Sequence, residues 1–373
     1  MTGEPALGFG RVAVIHDWLT GMRGGEAVLE GILEVLPGAE IFTLFHFPGS
    51  VSAAIESRTI HTSGIQKAAA RARDYRTLLP LFPHAARQWD LSRYDLIVSS
   101  SHCVAKGVNA AGKPHLCYCH TPMRYIWDRF DDYFPRSRPL RRAAAMSVAP
   151  WLRRWDVRTA SGVSRFVANS TFVRERIERY YGRDAAVVHP FVDRAFLDAP
   201  VSEERGDYHV VVSALVPYKR VDLAVAAAVA AGRRLLVIGG GPLLETLRSQ
   251  NSPNVEILGS VSRERIIETL ARARSLVLPG VEDFGITPLE AMAVGTPVVA
   301  LGEGGVRDSV IEGVTGIFFH RPEVESLRQA LHDVESRSWD RQRIRQHAAG
   351  FSRERFGREL RAELETAMTK NPT

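Results

Sequence analysis

At 373 residues, with 45% hydrophobic and 24% charged residues, the chain has room for two α/β domains, each with its own buried core. No run approaches the roughly 20 apolar residues that span a bilayer, and the opening MTGEPALGFG lacks the basic and apolar regions of a secretory signal. Three cysteines make no disulfide framework and suit a reducing cytoplasm.

The net charge of +6 is unevenly placed. Arginines crowd the stretch from Arg124 to Arg176, where only Asp128, Asp131, Asp132, Asp156 and Glu175 oppose them. Two readings stay open: a solvated basic face, or a surface that meets anionic lipid or a lipid diphosphate. Nucleic acid is not expected as a partner, because no helix-turn-helix, zinc-finger or RNP pattern accompanies the charge.

In chain order, Arg11–His16 reads as a buried strand that leads through Asp17–Gly24 into a helix over Gly25–Leu36. Ile41–Phe45, Leu96–Ser99, His115–Cys119 and Phe166–Asn169 read as further strands. Between Ile65 and Leu91 the pattern is irregular. It fits a helical cap on the core, with an amphipathic excursion towards a membrane as the alternative. Cys117, Cys119 and His120 lie close together, but a structural metal site needs four ligands and no second pair is present. No metal is expected there.

The stretch Phe191–Tyr208, turn-rich and charged, is the expected boundary between halves. The second half alternates strictly. Strands are expected at His209–Ala214, Arg234–Ile238, Val255–Leu258, Ser275–Leu278 and Pro297–Ala300. Helices are expected at Val221–Ala231, Leu243–Gln250, Arg263–Arg272, Pro288–Val294 and Val306–Ile311. Such alternation builds a parallel sheet covered on both faces. A last helix is expected over Ser352–Met368 with Ser352 as N-cap. The domains are therefore placed at 1–195 and 196–350, followed by a helix from 351.

In an open parallel sheet, ligands bind outside the carboxyl ends of the strands, and three loops there carry candidate chemistry. The first is Pro279–Glu290. Gly285 allows close backbone approach, Pro288 opens a helix whose free N–H groups suit phosphate, and the carboxylates Glu282 and Glu290 suit sugar hydroxyls. Glu290 reads equally as a partner of the helix dipole. The second is Pro217–Arg220, whose Lys219 and Arg220 suit a diphosphate or are ordinary surface cations. The third is Gly21–Glu26, a glycine-rich turn into a helix that cradles phosphate or simply turns the chain.

The Glu282-Asp-Phe-Gly-Ile-Thr-Pro-Leu-Glu290 segment and the Ala-Met-Ala-Val-Gly-Thr-Pro that follows closely resemble the E-x₇-E region of glycosyltransferase family 4, retaining enzymes of the GT-B type. Gly24-Gly25-Glu26, His120-Thr-Pro122, Asn169-Ser-Thr-Phe172, Val216–Asp222, Ile238–Pro242 and Gly304-Gly305 agree with it in order. Ser99–His102 through Cys119–Trp127 resembles the bacterial polysaccharide mannosyltransferase branch.

The resemblance implies two Rossmann-like parallel-sheet domains facing a central cleft, with the last helix crossing back to the first domain. It implies a nucleotide-sugar donor, GDP-mannose by preference, in the second domain and a polyprenyl-diphosphate-linked saccharide acceptor in the first. Glu282 would hold hydroxyls of the transferred sugar, Glu290 the ribose, and the backbone of Phe284, Gly285, Ile286 and Thr287 the sugar and diphosphate. Lys219 would neutralise the leaving diphosphate. Gly24 and Gly25 would close over the phosphates, and His120 would sit near donor sugar and acceptor. No metal or other cofactor would be required, and the protein would work in the cytoplasm; the charge pattern leaves open whether it does so free or against the anionic inner face of the plasma membrane.

One position departs from the pattern. The family carries an arginine five residues before the clamp lysine, and here that position is Ala214. Arg220 or another basic residue substitutes, or charge neutralisation is weaker. Two rival classes remain. A Rossmann-fold oxidoreductase requires G-x-G-x-x-G and an acidic residue about 20 positions on, which Gly239-Gly-Gly241 does not supply. A non-catalytic sugar- or lipid-binding protein of the same fold is the other, and Ala214 favours it.

Overall fold

The computed structural model describes residues 8–72, 74–202, 204–250 and 252–369, and of residue 76 only the backbone. The opening MTGEPAL, part of the segment read for a leader, lies outside the described residues. The chain forms two compact units, one built from residues up to 188 and from 356 on, the other from 189–355.

Unit 1 holds seven strands: β1 (Val12–His16), β2 (Glu40–Thr43), β3 (Ile60–Thr62), β4 (Leu96–Ser101), β5 (His115–Cys119), β6 (Arg165–Ala168) and β7 (Ala185–Val187). They pair in parallel in the order β3-β2-β1-β4-β5-β6-β7. The order reverses at β1, so the chain leaves β1 to one side and β4 to the other. That split opens a crevice at their carboxyl ends. Register places His16 at the end of β1 beside Ser100 of β4.

The segment 65–91 is the core cap. Phe82, Ala85 and Ala86 pack with Trp18 and Phe45, and Ile65, Tyr75, Leu78, Leu79 and Trp89 lean on the same cluster. Cys117 and Cys119, two residues apart on β5, point into one face of the sheet with Phe166, Ala168 and Ile177. Burial pushes the Cys119 thiol well above its ordinary range, so it behaves as a packed apolar group.

Unit 2 holds β8 (Tyr208–Val212), β9 (Arg234–Ile238), β10 (Val255–Gly259), β11 (Leu276–Leu278), β12 (Val298–Leu301) and β13 (Gly316–Phe319), all parallel, in the order β10-β9-β8-β11-β12-β13. Alternate residues serve opposite faces. Val210, Leu276, Leu278, Val298 and Ala300 join one core, and Val211, Val277, Val299 and Leu301 the other. Covered faces on both sides explain why β8, β9, β11 and β12 read as near-continuous apolar runs, whereas β10, at the sheet edge, keeps Glu256 exposed. The crevice here lies between β8 and β11.

The expected cut at 195/196 falls inside unit 2, because Val192 and Phe196 are part of its core with Phe351. The expected start of the last helix moves little. It spans Arg353–Thr369, and the Arg355 amide donates to Ser352 Oγ at 3.1 Å, the cap read from sequence. From 356 on the helix belongs to unit 1. Phe356 packs edge-on to Tyr118, and Glu363 takes a 2.6 Å bond from Arg165.

Candidate active site

In unit 2, the loop after β11 and the turn after β8 meet at the crevice. Lys219 ends a 3-10 turn, Pro217–Lys219, and its Nζ pairs with the Glu282 carboxylate. Both side chains are largely buried. Glu282 is anchored by its backbone, since its carbonyl accepts from Gly305 N–H at 2.9 Å. The Gly304-Gly305 turn lies so close that a Cβ on Gly305 would collide with the Asp283 carbonyl. Gly239 plays the same part under β8, where a Cβ would strike the Ser213 carbonyl. The triple glycine is thus a close-packing device for the β8 loop.

The helix after the motif spans Ile286–Ala293 and starts two residues before the Pro288 expected to open it. Gly285, with φ of +86°, turns the chain directly into the helix, and Pro288 is tolerated in its first turn. The N–H groups of Gly285, Ile286 and Thr287 therefore have no acceptor within the helix. Glu290 falls beyond the first turn, which removes the basis for reading it as a dipole partner. It makes no hydrogen bond or ion pair among the described residues. Burial, with the Asp193 carboxylate nearby and Arg263 only partly compensating, raises its pKa to about 7.

The other members of the motif separate by role. The Phe284 ring is core, 5.6 Å from the His189 ring, so only its backbone is available to a ligand. The cations of Pro217–Arg220 part company. Arg220 is held at φ +51° in the left-handed region, and its half-exposed guanidinium turns to Asp222 at 3.4 Å, not to Glu282. A side chain with a Cβ in that region is strained by roughly 1 kcal/mol or more. Ala214 lies past the end of β8 and is exposed.

A cavity of about 810 Å³ opens at the amino ends of β8, β9 and β10, away from this loop cluster. Its arginines Arg233 and Arg274 are paired with Glu335, and Arg234 with Asp207. Charges so satisfied give no unmet demand for a ligand.

In unit 1, the carboxyl ends of β1, β4 and β5 gather polar groups around the expected His120, and its neighbours Asp17, His16, Ser100 and His102 were not singled out from the sequence. Asp17 is fully buried. Its two oxygens accept the backbone N–H groups of His102, Cys103, Val104 and Ala105 at 2.7–2.9 Å, fastening β1 to the turn after β4. His16 Nδ1 lies 3.0 Å from Ser100 Oγ, and the same hydroxyl lies 2.8 Å from His120 Nε2. His102 completes a triangle, its ring 6.2 Å from His16 and 6.4 Å from His120.

The helix Gly24–Val35 begins one residue before its expected start and brings Gly25 against this cluster. A Cβ there would lie 3.8 Å from the His16 ring and 4.0 Å from His120 Nε2. Glu26, buried, accepts from Arg23 N–H at 3.1 Å and stands 3.8 Å from His16 Nε2. Burial opposes its charge, but attraction to His16 outweighs that and lowers its pKa. Burial lowers the pKa of His120 well below the ordinary histidine value, helped by the neighbouring histidines, and lowers His102 as well. Polar residues at the ends of apolar strands, His16-Asp17 and Ser100–His102, were the available sequence signal.

Two doubly wound sheets, each with its polar groups at the carboxyl ends of the split strands, define a GT-B glycosyltransferase fold. Residues 23–196 match the family "Glycosyltransferase Family 4", and residues 194–351 match "Glycosyl transferases group 1". The chain belongs to the family 4 glycosyltransferases.

Among curated relatives, the GDP-mannose-dependent alpha-(1-6)-phosphatidylinositol monomannoside mannosyltransferase of Mycolicibacterium smegmatis is 33% identical over 195 residues, covering 44% of this chain and 51% of that one. The D-inositol 3-phosphate glycosyltransferase of Mycobacterium sp. strain KMS is 28% identical over 214 residues, covering 50% and 49%. The chain thus spans about half the length of the curated relatives it matches. Among solved structures, Anabaena Alr3699/HepE with UDP and glucose superposes with a TM-score of 0.67 at 17% identity, over 95% of this chain and 99% of that one. The apo lipopolysaccharide outer core galactosyltransferase WaaB gives 0.68 at 14%, over 96% and 99%. At such identities these two speak for the fold.

Proposed function

We propose that the chain is a retaining hexosyltransferase that moves mannose from GDP-mannose to a polyprenyl-diphosphate-linked saccharide, at the anionic inner face of the cell membrane, in cell-surface polysaccharide synthesis. The observation that carries this reading is the Lys219–Glu282 pair, set at the switch point of unit 2 beside the start of the helix Ile286–Ala293. A cation and free helix N–H groups at one crevice suit a diphosphate. A carboxylate beside them suits sugar hydroxyls. The choice of GDP-mannose rests on the mycobacterial relative named above.

In this reading the donor's diphosphate takes Lys219 from Glu282, and Glu282 is released to accept hydrogen bonds from the hexose. Glu290 accepts the ribose hydroxyls, with its proton lost on binding. Charge developing on the leaving diphosphate meets Lys219 and the N–H groups of Gly285, Ile286 and Thr287, which need no reorganisation when it forms. These groups supply the neutralisation for which a metal would otherwise serve, so no cofactor is required. Retention follows if the acceptor attacks from the leaving-group side, and Glu282 then orients the sugar and does not attack it. Unit 1 supplies His120 and the acceptor site. Its helix Pro139–Ala160, arginine-rich and bearing exposed apolar side chains, suits a lipid-borne acceptor.

A non-catalytic binding protein is the second reading, favoured by Ala214 at the place of the clamp arginine. A thermal-shift screen over GDP-, UDP- and ADP-sugars, followed by release of labelled hexose, separates the two. A donor that raises Tm and is turned over by the wild type but not by Glu282→Ala supports the transferase. Stabilisation without turnover on any acceptor supports the binding protein, and no shift with any nucleotide sinks both.

A further inference from the structure

Ser100 has one hydroxyl hydrogen and two histidine nitrogens to serve. His16 Nδ1 lies 3.0 Å from its oxygen and His120 Nε2 lies 2.8 Å away. It donates to one and accepts from the other, so the state of one ring dictates the state of the other. The direction is set from the far end. His16 Nε2 is buried without a hydrogen-bond partner and faces the Glu26 carboxylate at 3.8 Å. A carboxylate favours a proton on the nitrogen that faces it. With that proton on Nε2, a neutral His16 presents a bare Nδ1, and Ser100 must donate to it. The Ser100 oxygen then accepts from His120, which carries its proton on Nε2.

We propose that Glu26, His16 and Ser100 form a directional hydrogen-bond chain that fixes the tautomer of His120, leaving His120 Nδ1 as a bare acceptor. Three features fit this assignment. Glu26 is itself fixed by the Arg23 amide, so the chain starts from an immobile group. The His120 backbone is pinned on both sides, its N–H to Ser101 O at 2.9 Å and its carbonyl to Asn169 Nδ2 at 3.0 Å. His120 Nδ1 makes no hydrogen bond among the described residues, while Nε2 is committed to Ser100. Asp17 and His102 sit at the third corner, and their mutual contact of 3.1 Å leaves the chain itself undisturbed. His16 and Ser100 are positioning residues in this account. The inference rests on the transferase reading only for its purpose, which is to offer a lone pair to a substrate hydroxyl.

The chain is read without substrate by nitrogen-15 NMR of the imidazoles in the full chain at pH 8. The expected wild-type spectrum shows His120 with a pyrrole-type Nε2 and a pyridine-type Nδ1. Ser100→Ala is expected to give mixed tautomers, and Ser100→Thr, which keeps the hydroxyl, the wild-type pattern. Donor turnover in the same samples is expected to fall roughly 10–100-fold in kcat for Ser100→Ala with KM little changed, and to recover in Ser100→Thr. A proton on His120 Nδ1 in the wild type overturns the proposal, as does a Ser100→Ala spectrum identical to it. A wild type that shows the expected tautomer yet turns over no donor leaves the chain standing and removes the transferase reading instead.

Discussion

Lys219 and Glu282 neutralise each other across the crevice of unit 2. The two groups expected to grip different parts of one donor are each other's partner when no donor is bound. Binding must therefore exchange one charge pair for another, and the two substitutions are predicted to act in opposite directions. Lys219→Met removes the cation, and affinity for a nucleoside diphosphate should fall by about tenfold or more, each tenfold being about 1.4 kcal/mol. Glu282→Gln frees the cation, and the same affinity should hold or rise while hexose transfer is lost. Titration calorimetry with GDP and UDP checks both. Weaker diphosphate binding in Glu282→Gln would falsify the exchange.

Glu290 carries the clearest pH dependence. Its pKa of about 7 lies above the ordinary carboxylate value near 4.3. Between those values the folded protein holds a proton that the unfolded chain has released, so this group's contribution to stability declines as pH rises through the window. Glu290→Gln should match wild type in Tm near pH 5 and exceed it above pH 7. Ribose recognition runs the other way, because the charged carboxylate is the better acceptor. The wild-type advantage over Glu290→Gln in GDP affinity should grow across the same window. Parallel thermal and binding series test this, and a pH-independent difference in Tm would remove the raised pKa from the account.

The periodic parts of the fold were legible because physical period and burial coincide. β8, β9, β11 and β12 sit inside cores on both faces and read as largely apolar runs, and the helix cap at Ser352 reads from a single side chain. Strands β3, β7 and β13 lie at sheet edges and were not read, whereas β11 and β12, equally short, lie mid-sheet as fully buried apolar runs and were. Within the site, Lys219 and Glu282 were visible as charged residues in strand-end loops and Glu290 as one on the helix that follows. The direction of Arg220 was not, because its outward turn depends on a left-handed backbone that no residue type announces. His16 and Ser100 were hidden for another reason. His16 ends β1 and Ser100 lies one residue before the end of β4, both buried, and only the parallel register of β1 on β4 brings them together.

Stability in unit 1 leans on a buried charge pair. Lys106 Nζ lies 2.8 Å from Asp156 Oδ1, and the other Asp156 oxygen accepts from Trp127 Nε1 and Tyr181 OH, both at 2.8 Å. Neither charged side chain reaches solvent to any extent. Removing one partner strands the other, so Lys106→Met should cost about 3–5 kcal/mol in urea unfolding. Replacing both, as in Lys106→Met with Asp156→Leu, should recover part of that loss. Equal losses in the single and double variants would count against the pair as the source.

The helix Pro139–Ala160 turns Ala149, Leu152, Asp156 and Ala160 inward, at helical spacing along one stripe. Its opposite side is unusual for a solvent face. Leu140 is 87% exposed and Trp151 47%, with Met146 and Val157 also exposed. Arg138, Arg141, Arg154 and Arg158 lie exposed beside them, and the helix's one acid, Asp156, is buried against Lys106. Apolar side chains that enter a bilayer interface, flanked by cations that meet its headgroups, fit an anionic membrane better than water. The full chain should co-sediment with vesicles containing phosphatidylglycerol and not with phosphatidylcholine alone, and salt should weaken the binding. Each arginine near such a surface contributes about 1 kcal/mol, so Arg141→Glu with Arg154→Glu should weaken binding by about thirtyfold or more. Trp151→Ser should weaken it too, with the salt dependence kept, because it removes insertion and leaves the charge. Equal binding to neutral and anionic vesicles, or an unaffected double variant, would return this helix to an ordinary solvated face.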